Sequence, residues 1–495
     1  MIEAVPQEIL EIYNKIKNAN FEAYLVGGCV RNMLLKKPVK DWDLTTNAKP
    51  EDLLKIFPNG FYDNKFGTVG VPTVILVSEA HPESLARGDS GQARMTKKNV
   101  VEVTTFRTEE GFSDRRHPTK VSWGKTIEED LSRRDFTVNS IALKLVIASG
   151  AKQSQNNGIA SSQAKPDPRN DKLVIIDPFN GQKDLENKLI RAVGDPKQRF
   201  KEDALRLLRA VRIATEHEFT IEENTWKEIV ADAKLIQDIS GERIQTELLR
   251  ILSASHPYDG VMLLKNSGLM QYILPELLAG IGVSQVRPGR HHTSDVFTHN
   301  IESLKFCPST DPIVRFATLL HDVGKPKVIG KDKDGLVTFY NHEIVGSRIT
   351  RDICDRLKFS KKDRDKIVNL IRWHMFTVDE KVSDAGIRRF IRRIGVENVK
   401  DMMDLRIGDR LGGGTQTAES WRLKLFKKRV EEQLQPAPFS INDLAIDGND
   451  VMKELHIKPG PKIGEILQKL FLEADEDLSK NNKEFLLKRI KEVRN

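Results

Sequence analysis

The chain is 495 residues long, carries a formal charge of +8 and is 39% hydrophobic; it is too long for one core, should divide into three or four domains, and its basic balance suits a polyanionic partner. No apolar run approaches the ~20 residues of a membrane span, and the N-terminal Met-Ile-Glu-Ala-Val-Pro-Gln-Glu lacks the charged and apolar regions of a signal peptide. Cys29, Cys307 and Cys354 are odd in number and far apart, which argues against a disulfide frame or cysteine zinc site and for buried thiols in a reducing, cytoplasmic setting.

Taken in order, Ile9, Leu10, Ile12, Tyr13 and Ile16 have helical spacing and predict a helix over 6–19 covering one face of a first sheet. Residues 24–46 run from an apolar strand through Gly27-Gly28 and a short basic helix beginning at Val30 to a second strand carrying Asp41 and Asp43. Side chains two apart on a strand share a face, so both carboxylates are presented together. Hard oxygen ligands suit Mg²⁺, which usually takes one or two carboxylates plus substrate phosphates. Two such ions would activate a hydroxyl and stabilise a leaving pyrophosphate. The glycines leave room for backbone N–H groups to approach a triphosphate, and Arg31 adds a cation. Asp-x-Asp alone also occurs on solvated strand ends and Gly-Gly alone in plain turns; their ordered combination carries the information.

A helix over 50–57 and a strand over 66–76 follow, then a polar insertion at 78–99 read as the tip of an extended hairpin. Residues 100–106 alternate with strand period, making Glu102 a candidate third carboxylate or else a solvent-facing strand residue. The polar, basic segment 109–120, with a Gly and a Pro, predicts a loop beside the site. Asp135 and Asn139, four apart, predict one helix face with Arg133 and Arg134 at its N-terminal end, suited to a ribose hydroxyl and phosphate oxygens. Residues 146–171, rich in Ser, Gln, Asn, Gly and Pro, predict an insertion without chemistry, after which strand 173–176 and the turn Asp177-Pro-Phe-Asn-Gly resume the fold.

In 199–213, Asp203, Arg206 and Arg209 sit at three-residue steps on a predicted helix, Arg212 continuing the row. Cytosine and adenine both present an exocyclic amino donor beside a ring-nitrogen acceptor, whereas uracil and guanine present a carbonyl and an N–H. A carboxylate beside a guanidinium therefore fits C and A and repels U and G. The alternative is a surface helix laced by ion pairs.

The ordered set Gly27-Gly28-Cys29-Val30-Arg31, Asp41-Trp42-Asp43, Arg133-Arg134-Asp135 and Glu202-Asp203-Ala204-Leu205-Arg206 resembles the class II tRNA nucleotidyltransferase and poly(A) polymerase family, over roughly the first 250 residues. The resemblance implies an α+β fold: a polymerase-β-type nucleotidyltransferase head with a mixed sheet over 1–195, a helical neck with a base-selecting helix over 196–285, and further helical domains that grip tRNA. It implies that Asp41 and Asp43 hold Mg²⁺; Glu102, drawn from the strand pattern and not from the resemblance, is a candidate further catalytic carboxylate. Gly27, Gly28, Arg31, Arg134, Asp135, Glu202, Asp203, Arg206, Arg209 and Arg212 would serve the nucleotide. The loop at Asp114-Arg115-Arg116 resembles the flexible element associated with adding the final A. Asn32 departs from the Asp common in the family, which leaves a helix-capping or arginine-orienting role open.

A second constellation, His299, His321-Asp322 and Asp409, resembles the HD phosphohydrolase superfamily, in which such residues bind a divalent metal within a helical bundle, here expected over 286–430. Imidazole suits Mn²⁺, Co²⁺ or Ni²⁺ better than Mg²⁺, and His342 and His374 are further candidates. The implied activity is that of a phosphatase or cyclic phosphodiesterase. Residues 431–495 read as a helical tail whose Gly-Pro-Lys-Ile-Gly turn is either a candidate RNA phosphate contact or a plain interhelical turn.

These readings converge on a cytoplasmic enzyme that adds or repairs the 3′-terminal CCA of tRNA from CTP and ATP. An A-adding or CC-adding enzyme or a poly(A) polymerase would share the motifs. An alarmone synthetase and hydrolase also pairs two such halves, but normally in the reverse order. A catalytically dead RNA-binding protein is disfavoured by the intact Asp41, Asp43 and His-Asp set.

Overall fold

A helix over Gln7–Asn18 buries Ile9, Ile12, Tyr13 and Ile16, the face its spacing predicts. Tyr13 ties it to the sheet: its hydroxyl donates to the Leu145 carbonyl at 3.1 Å and accepts from the Leu145 N–H at 3.0 Å. The computed structural model describes residues 5–62, 67–76, 96–112, 118–146, 172–285, 294–434 and 440–493. Most of the 78–99 and 146–171 insertions and the segment Asp114-Arg115-Arg116 lie outside the described residues. By packing, the chain forms two units, residues 1–247 with 263–273 and residues 248–262 with 274–495.

Among the described residues the head contains β1 Ala23–Val26, β2 Asp43–Thr46, β3 Phe61–Tyr62, β4 Thr68–Leu76, β5 Thr96–Thr105, β6 Arg107–Phe112, β7 Pro118–Trp123, β8 Ala142–Val146, β9 Lys172–Ile176 and the short β10 Leu189–Ile190. Seven form one mixed sheet in the order β3-β4-β5-β2-β1-β8-β9. Only β2 and β5 pair in parallel; the other pairs in this sheet are antiparallel. β1 is buried along its whole length, as a central strand rich in apolar residues must be. Tyr24, Val26, Phe106, Ile127, Leu131 and Ala142 form a core cluster against the sheet. Together with the mostly helical remainder, this is an α+β architecture with a mixed-sheet head.

Three local expectations are corrected. Residues 109–112 and 118–120 are not loop: β6 and β7 form a two-stranded antiparallel hairpin, Arg107 opposite Trp123 and Glu109 opposite Val121. Polar composition did not mark irregular backbone there, and Thr, Val and Trp favour extended conformations. The helix expected to carry Asp135 and Asn139 ends earlier, at Ile127–Ser132, so Arg133 and Arg134 follow its C-terminus rather than precede its N-terminus. Phe136 is extended and bridges Ala192, and Thr137–Asn139 is a 3-10 turn. Finally, Asp203, Arg206 and Arg209 do not share one helix. Pro196–Glu202 stops at Asp203, whose Oδ1 accepts from the Leu205 N–H at 3.0 Å as Leu205–His217 begins. An Asp side chain competes for nearby backbone N–H groups, which favours a break over a continuous helix.

The second unit is helical. Asp295 and Asp311 cap the helices Val296–Phe306 and Pro312–Leu320, accepting from Thr298 and Ile313 N–H groups at 2.7 and 2.9 Å. Val399–Gly412 packs against Val296–Phe306 with glycine at the contact: a Cβ on Gly408 would lie 2.6 Å from the Ser303 carbonyl oxygen. The tail, Gly448–Leu455, Pro461–Glu476 and Lys483–Val493, closes its own core around Val451, Leu470, Leu486 and Ile490. Asp475 is buried in an ion pair with Arg388 at 2.6 Å. No helix among the described residues is long and apolar enough to cross a membrane. Cys29, Cys307 and Cys354 are free and buried.

Candidate functional site

At the end of β1 the chain turns through Gly27, at φ 78° and ψ −138°, into the helix Gly28–Leu34. Only glycine adopts this conformation readily, and the missing side chain leaves a cradle. A Cβ there would lie 3.1 Å from Arg134 Nη1 and 3.5 Å from Asp43 Oδ2. A carboxylate and a guanidinium thus flank the spot that the glycine leaves open.

Asp43 opens β2, whereas Asp41 lies just before the strand, exposed. The parallel register sets Asp43 beside Glu102 on β5, so Glu102, also exposed, shares the Asp43 face of the sheet. Burial raises the Asp43 carboxyl above its ordinary value; Arg134 offsets part of this and Asp41 adds to it. Such a pair of anions, with hard oxygens and a nearby open backbone, fits a divalent ion that also takes phosphate oxygens.

The arginines around this cradle are all held. Arg134 Nη2 pairs with Asp130 Oδ2 at 3.1 Å and Arg133 Nη2 with Asp130 Oδ1 at 2.6 Å. Burial penalises the Asp130 carboxylate, but the two guanidinium groups outweigh it and hold its carboxyl below the usual range. Arg31 donates to Asn139 Oδ1 at 2.6 Å and to Asn32 Oδ1 from Nε at 3.2 Å and Nη2 at 3.1 Å. Asn32 therefore orients Arg31 through its amide oxygen, while its own N–H group donates to the Pro38 carbonyl at 3.1 Å.

Asp135 links these groups to the helical region. Its Oδ1 accepts from Asn139 at 3.0 Å and its Oδ2 from Arg209 Nε and Nη2 at 2.8 and 2.6 Å. Burial opposes the charged form, but Arg209 and Asn139 prevail and depress the Asp135 carboxyl strongly; Asp135 in turn raises Arg209. Glu247 continues the network, 3.8 Å from Arg209 and 2.5 Å from Arg212, and Arg212 also pairs with Glu216 at 3.0 Å.

The guanidinium paired with Asp203 is that of Arg243, donating at 3.3 and 2.8 Å to the two carboxylate oxygens, not that of Arg206. Arg206 is instead held by Glu202 at 2.8 Å and by the carbonyls of Arg199 and Arg133, both at 3.0 Å. Sequence reasoning missed Asp130, Glu247 and Arg243. Asp130 stands three and four residues before the arginines it binds, a helical spacing that would have found it; Arg243, forty residues from Asp203, left no local signal.

In the second unit three helices, Val296–Phe306, Pro312–Leu320 and Val399–Gly412, bring His299, His321, Asp322 and Asp409 together. His299 Nε2 lies 3.1 Å from His321 Nε2, 3.3 Å from Asp322 Oδ2 and 3.2 Å from Asp409 Oδ1. His321 Nε2 lies 3.3 and 3.6 Å from the same two carboxylate oxygens. Ligand atoms around an ion with ~2.1 Å bonds stand about 3.0–3.4 Å apart, so the set fits one. Burial disfavours the charged His321 ring, but Asp322 and Asp409 outweigh it and push His321 up to about 10. Among the described residues, groups of three or more such ligands gathered within 4.8 Å occur only here; Asp41, Asp43 and Glu102 are not so gathered.

A model of the poly A polymerase head domain matches residues 23–191, one described as the probable RNA and SrmB-binding site of polymerase A matches 218–281, and a domain 2 model of tRNA nucleotidyltransferases matches 339–490. An A-adding tRNA nucleotidyltransferase of Deinococcus radiodurans is 34% identical over 357 residues, 70% of this chain and 74% of that protein. A CCA-adding enzyme of Ligilactobacillus salivarius is 29% identical over 500 residues, 100% of this chain and 98% of its own length. Among solved structures, the Bacillus stearothermophilus CCA-adding enzyme in complex with CTP superposes with a TM-score of 0.63 at 24% identity, covering 98% of this chain and 97% of that one.

Proposed function

Because the chain belongs to the tRNA nucleotidyltransferase and poly(A) polymerase family, we propose that it adds or repairs the 3′-terminal CCA of tRNA, taking CTP and ATP without a nucleic-acid template and releasing pyrophosphate. The observation that carries this reading is the cradle at Gly27, flanked by Asp43 and Arg134. Enzymes of this family use a divalent metal; here Asp41 and Asp43 would hold Mg²⁺, which when bound sharpens the nucleophile and neutralises charge on the phosphates. Arg134, braced by Asp130, orients a phosphate oxygen, and Arg31, Asp135 and Asn139 line the path to the sugar. The tRNA 3′-hydroxyl attacks the α-phosphorus, the bond to pyrophosphate breaks, and Glu102 stands on the same sheet face as a third carboxylate. Asp203 accepts from the exocyclic amino group of cytosine or adenine and Arg206 donates to the neighbouring ring nitrogen. Arg243 and Glu202 orient that pair, while Arg209 and Arg212 fix the helix behind it.

We further assign His299, His321, Asp322 and Asp409 to one divalent transition ion, Mn²⁺, Co²⁺ or Ni²⁺. The free, buried cysteines support a cytoplasmic site of action. The A-adding relative at 34% identity favours a second reading, an enzyme that adds only the final A. Purified protein given a tRNA ending before CCA, or one ending in CC, decides between them. Extension of both substrates supports the first reading; extension of the CC-ended substrate alone supports the second. Extension of either by Asp41→Ala protein at the wild-type rate would overturn the catalytic assignment.

A further inference from the structure

A hollow of about 390 Å³ lies among the helices Lys361–Trp373, Asp384–Ile394 and Trp421–Leu434 of the second unit, a size that suits a small molecule. Its floor is aromatic. The Phe390 ring stands 4.7 Å from Phe376 and 5.2 Å from Phe426, centre to centre, and Phe390 and Phe426 are only 8% and 3% exposed. Met375, 59% exposed, stands at the rim, where a thioether packs readily against a flat ring. An aromatic floor takes a nucleobase by stacking whatever its edge, because every base has a π-face.

The wall is cationic. Arg372 and Arg393 place their guanidinium carbons 4.4 and 4.9 Å from the centre of the Trp373 ring. A guanidinium stacked on indole is held by the ring yet keeps its N–H edge for in-plane bonds to a phosphate. The same two arginines also line a second, wider hollow of about 840 Å³. There Arg351, Lys362, Lys366 and Arg392 join them, against Asp365 and Glu397. Some of these cations are already engaged: Lys366 with Asp311 and Asp401, both at 2.8 Å, Arg372 with Glu343 at 3.8 Å, and Arg392 with Asp475. Arg351, Lys362 and Arg393 are exposed, and among the described residues no carboxylate pairs with them. Three uncompensated cations along one groove favour an anion there.

Floor and wall together call for a ligand with a flat ring at one end and several negative charges at the other. Inorganic phosphate would leave the floor empty. A base paired within an RNA duplex would not reach a floor so deeply buried. We propose that the two hollows form one site for a free nucleoside triphosphate, its base on Phe376 and Phe390 and its phosphates on Arg393, Arg351 and Lys362. None of these residues belongs to the cradle at Gly27, so this is a second nucleotide site of the chain, and it does not depend on any metal assignment.

The test is equilibrium dialysis of the full-length protein against GTP in chelator. GTP suits it because Asp203 and Arg206 are expected to reject guanine, and chelator removes binding through a metal ion. The bound position is read by photocrosslinking 8-azido-GTP and identifying the labelled peptide by mass spectrometry. Wild type should bind one GTP per chain, with the label between residues 373 and 393. Arg393→Glu and Lys362→Glu, both at exposed positions, should each weaken binding by about tenfold or more with unchanged circular dichroism. An excess of tRNA ending in CCA should leave the label in place. Label in the head as well would keep this site and count against base selection at Asp203. No bound GTP, label in the head alone, or unchanged affinity in both variants would overturn the site. Displacement of the label by tRNA would make the groove an RNA-binding face and overturn it too.

Discussion

The head and the second unit hold their acidic groups in opposite ways. In the head, Asp41 and Glu102 are exposed, Asp43 half-buried, and the three are not drawn together within ligand distance; what is rigid is the surrounding cage of paired arginines. In the second unit the ligands themselves are buried and already at coordination spacing. The difference teaches what each site must admit. A polymerising site receives a nucleotide and an RNA end, so its carboxylates stay open to solvent while the groups that orient phosphate and base are fixed beforehand. A helical metal site is assembled by packing, and Gly408, which lets two helices approach closely, does for it what Gly27 does for the head.

The largest effect expected is on chemistry alone. Asp43→Ala should lower nucleotide incorporation by about 10³-fold or more while tRNA binding, measured by filter retention, stays within about threefold. Equal losses in both would mean that Asp43 serves the fold. Next comes the rigid cage. Asp135→Asn leaves Arg209 with only the more distant Glu247, at 3.8 Å, and should destabilise the protein by about 3 kcal/mol in denaturant titration. Because Arg209 depresses the Asp135 carboxyl in the folded state, this stabilisation is present above the unfolded value of about 3.9 and is lost as pH falls below it. The gap between wild type and Asp135→Asn should therefore narrow only below about pH 4.

A smaller effect is expected at Arg243, which acts on substrate through Asp203. Arg243→Ala should cut kcat/KM for CTP and ATP by about tenfold or somewhat more and relax exclusion of UTP, with partial recovery in Arg243→Lys. A loss equal for all nucleotides would make its role structural. In the second unit, Gly408→Val should force Val296–Phe306 and Val399–Gly412 apart, costing about 1–3 kcal/mol, and weaken Mn²⁺ retention without changing nucleotide preference. The smallest effect is at Asn32: its amide oxygen already orients Arg31, so Asn32→Asp should change incorporation by no more than about threefold.

What the sequence disclosed follows the range of the interaction. Gly27, Asp43 and Arg134 lie in ordered motifs, the helix Gln7–Asn18 was legible from apolar periodicity, and β1, β2 and β4 from their place around those motifs, although β2 begins at Asp43 and leaves Asp41 outside it. The break at Asp203 was not, because the residues on both sides have helical spacing and only the capping bond to Leu205 interrupts it. Arg243 and Glu247 were invisible for a different reason: their partners are reached by folding across dozens of residues, and an arginine or glutamate on an amphipathic helix looks like any solvated one. His342 and His374 stood out only as candidates until the fold set them against the second oxygen of Asp322.

The central claim is that this chain extends tRNA with C and A chosen by protein groups alone. Sequencing the 3′ ends formed on a tRNA lacking CCA, with all four nucleoside triphosphates and Mg²⁺ present, tests it most directly. The account predicts termini that read CCA, and none when the ion is chelated; termini carrying U or G as often as C or A would contradict it.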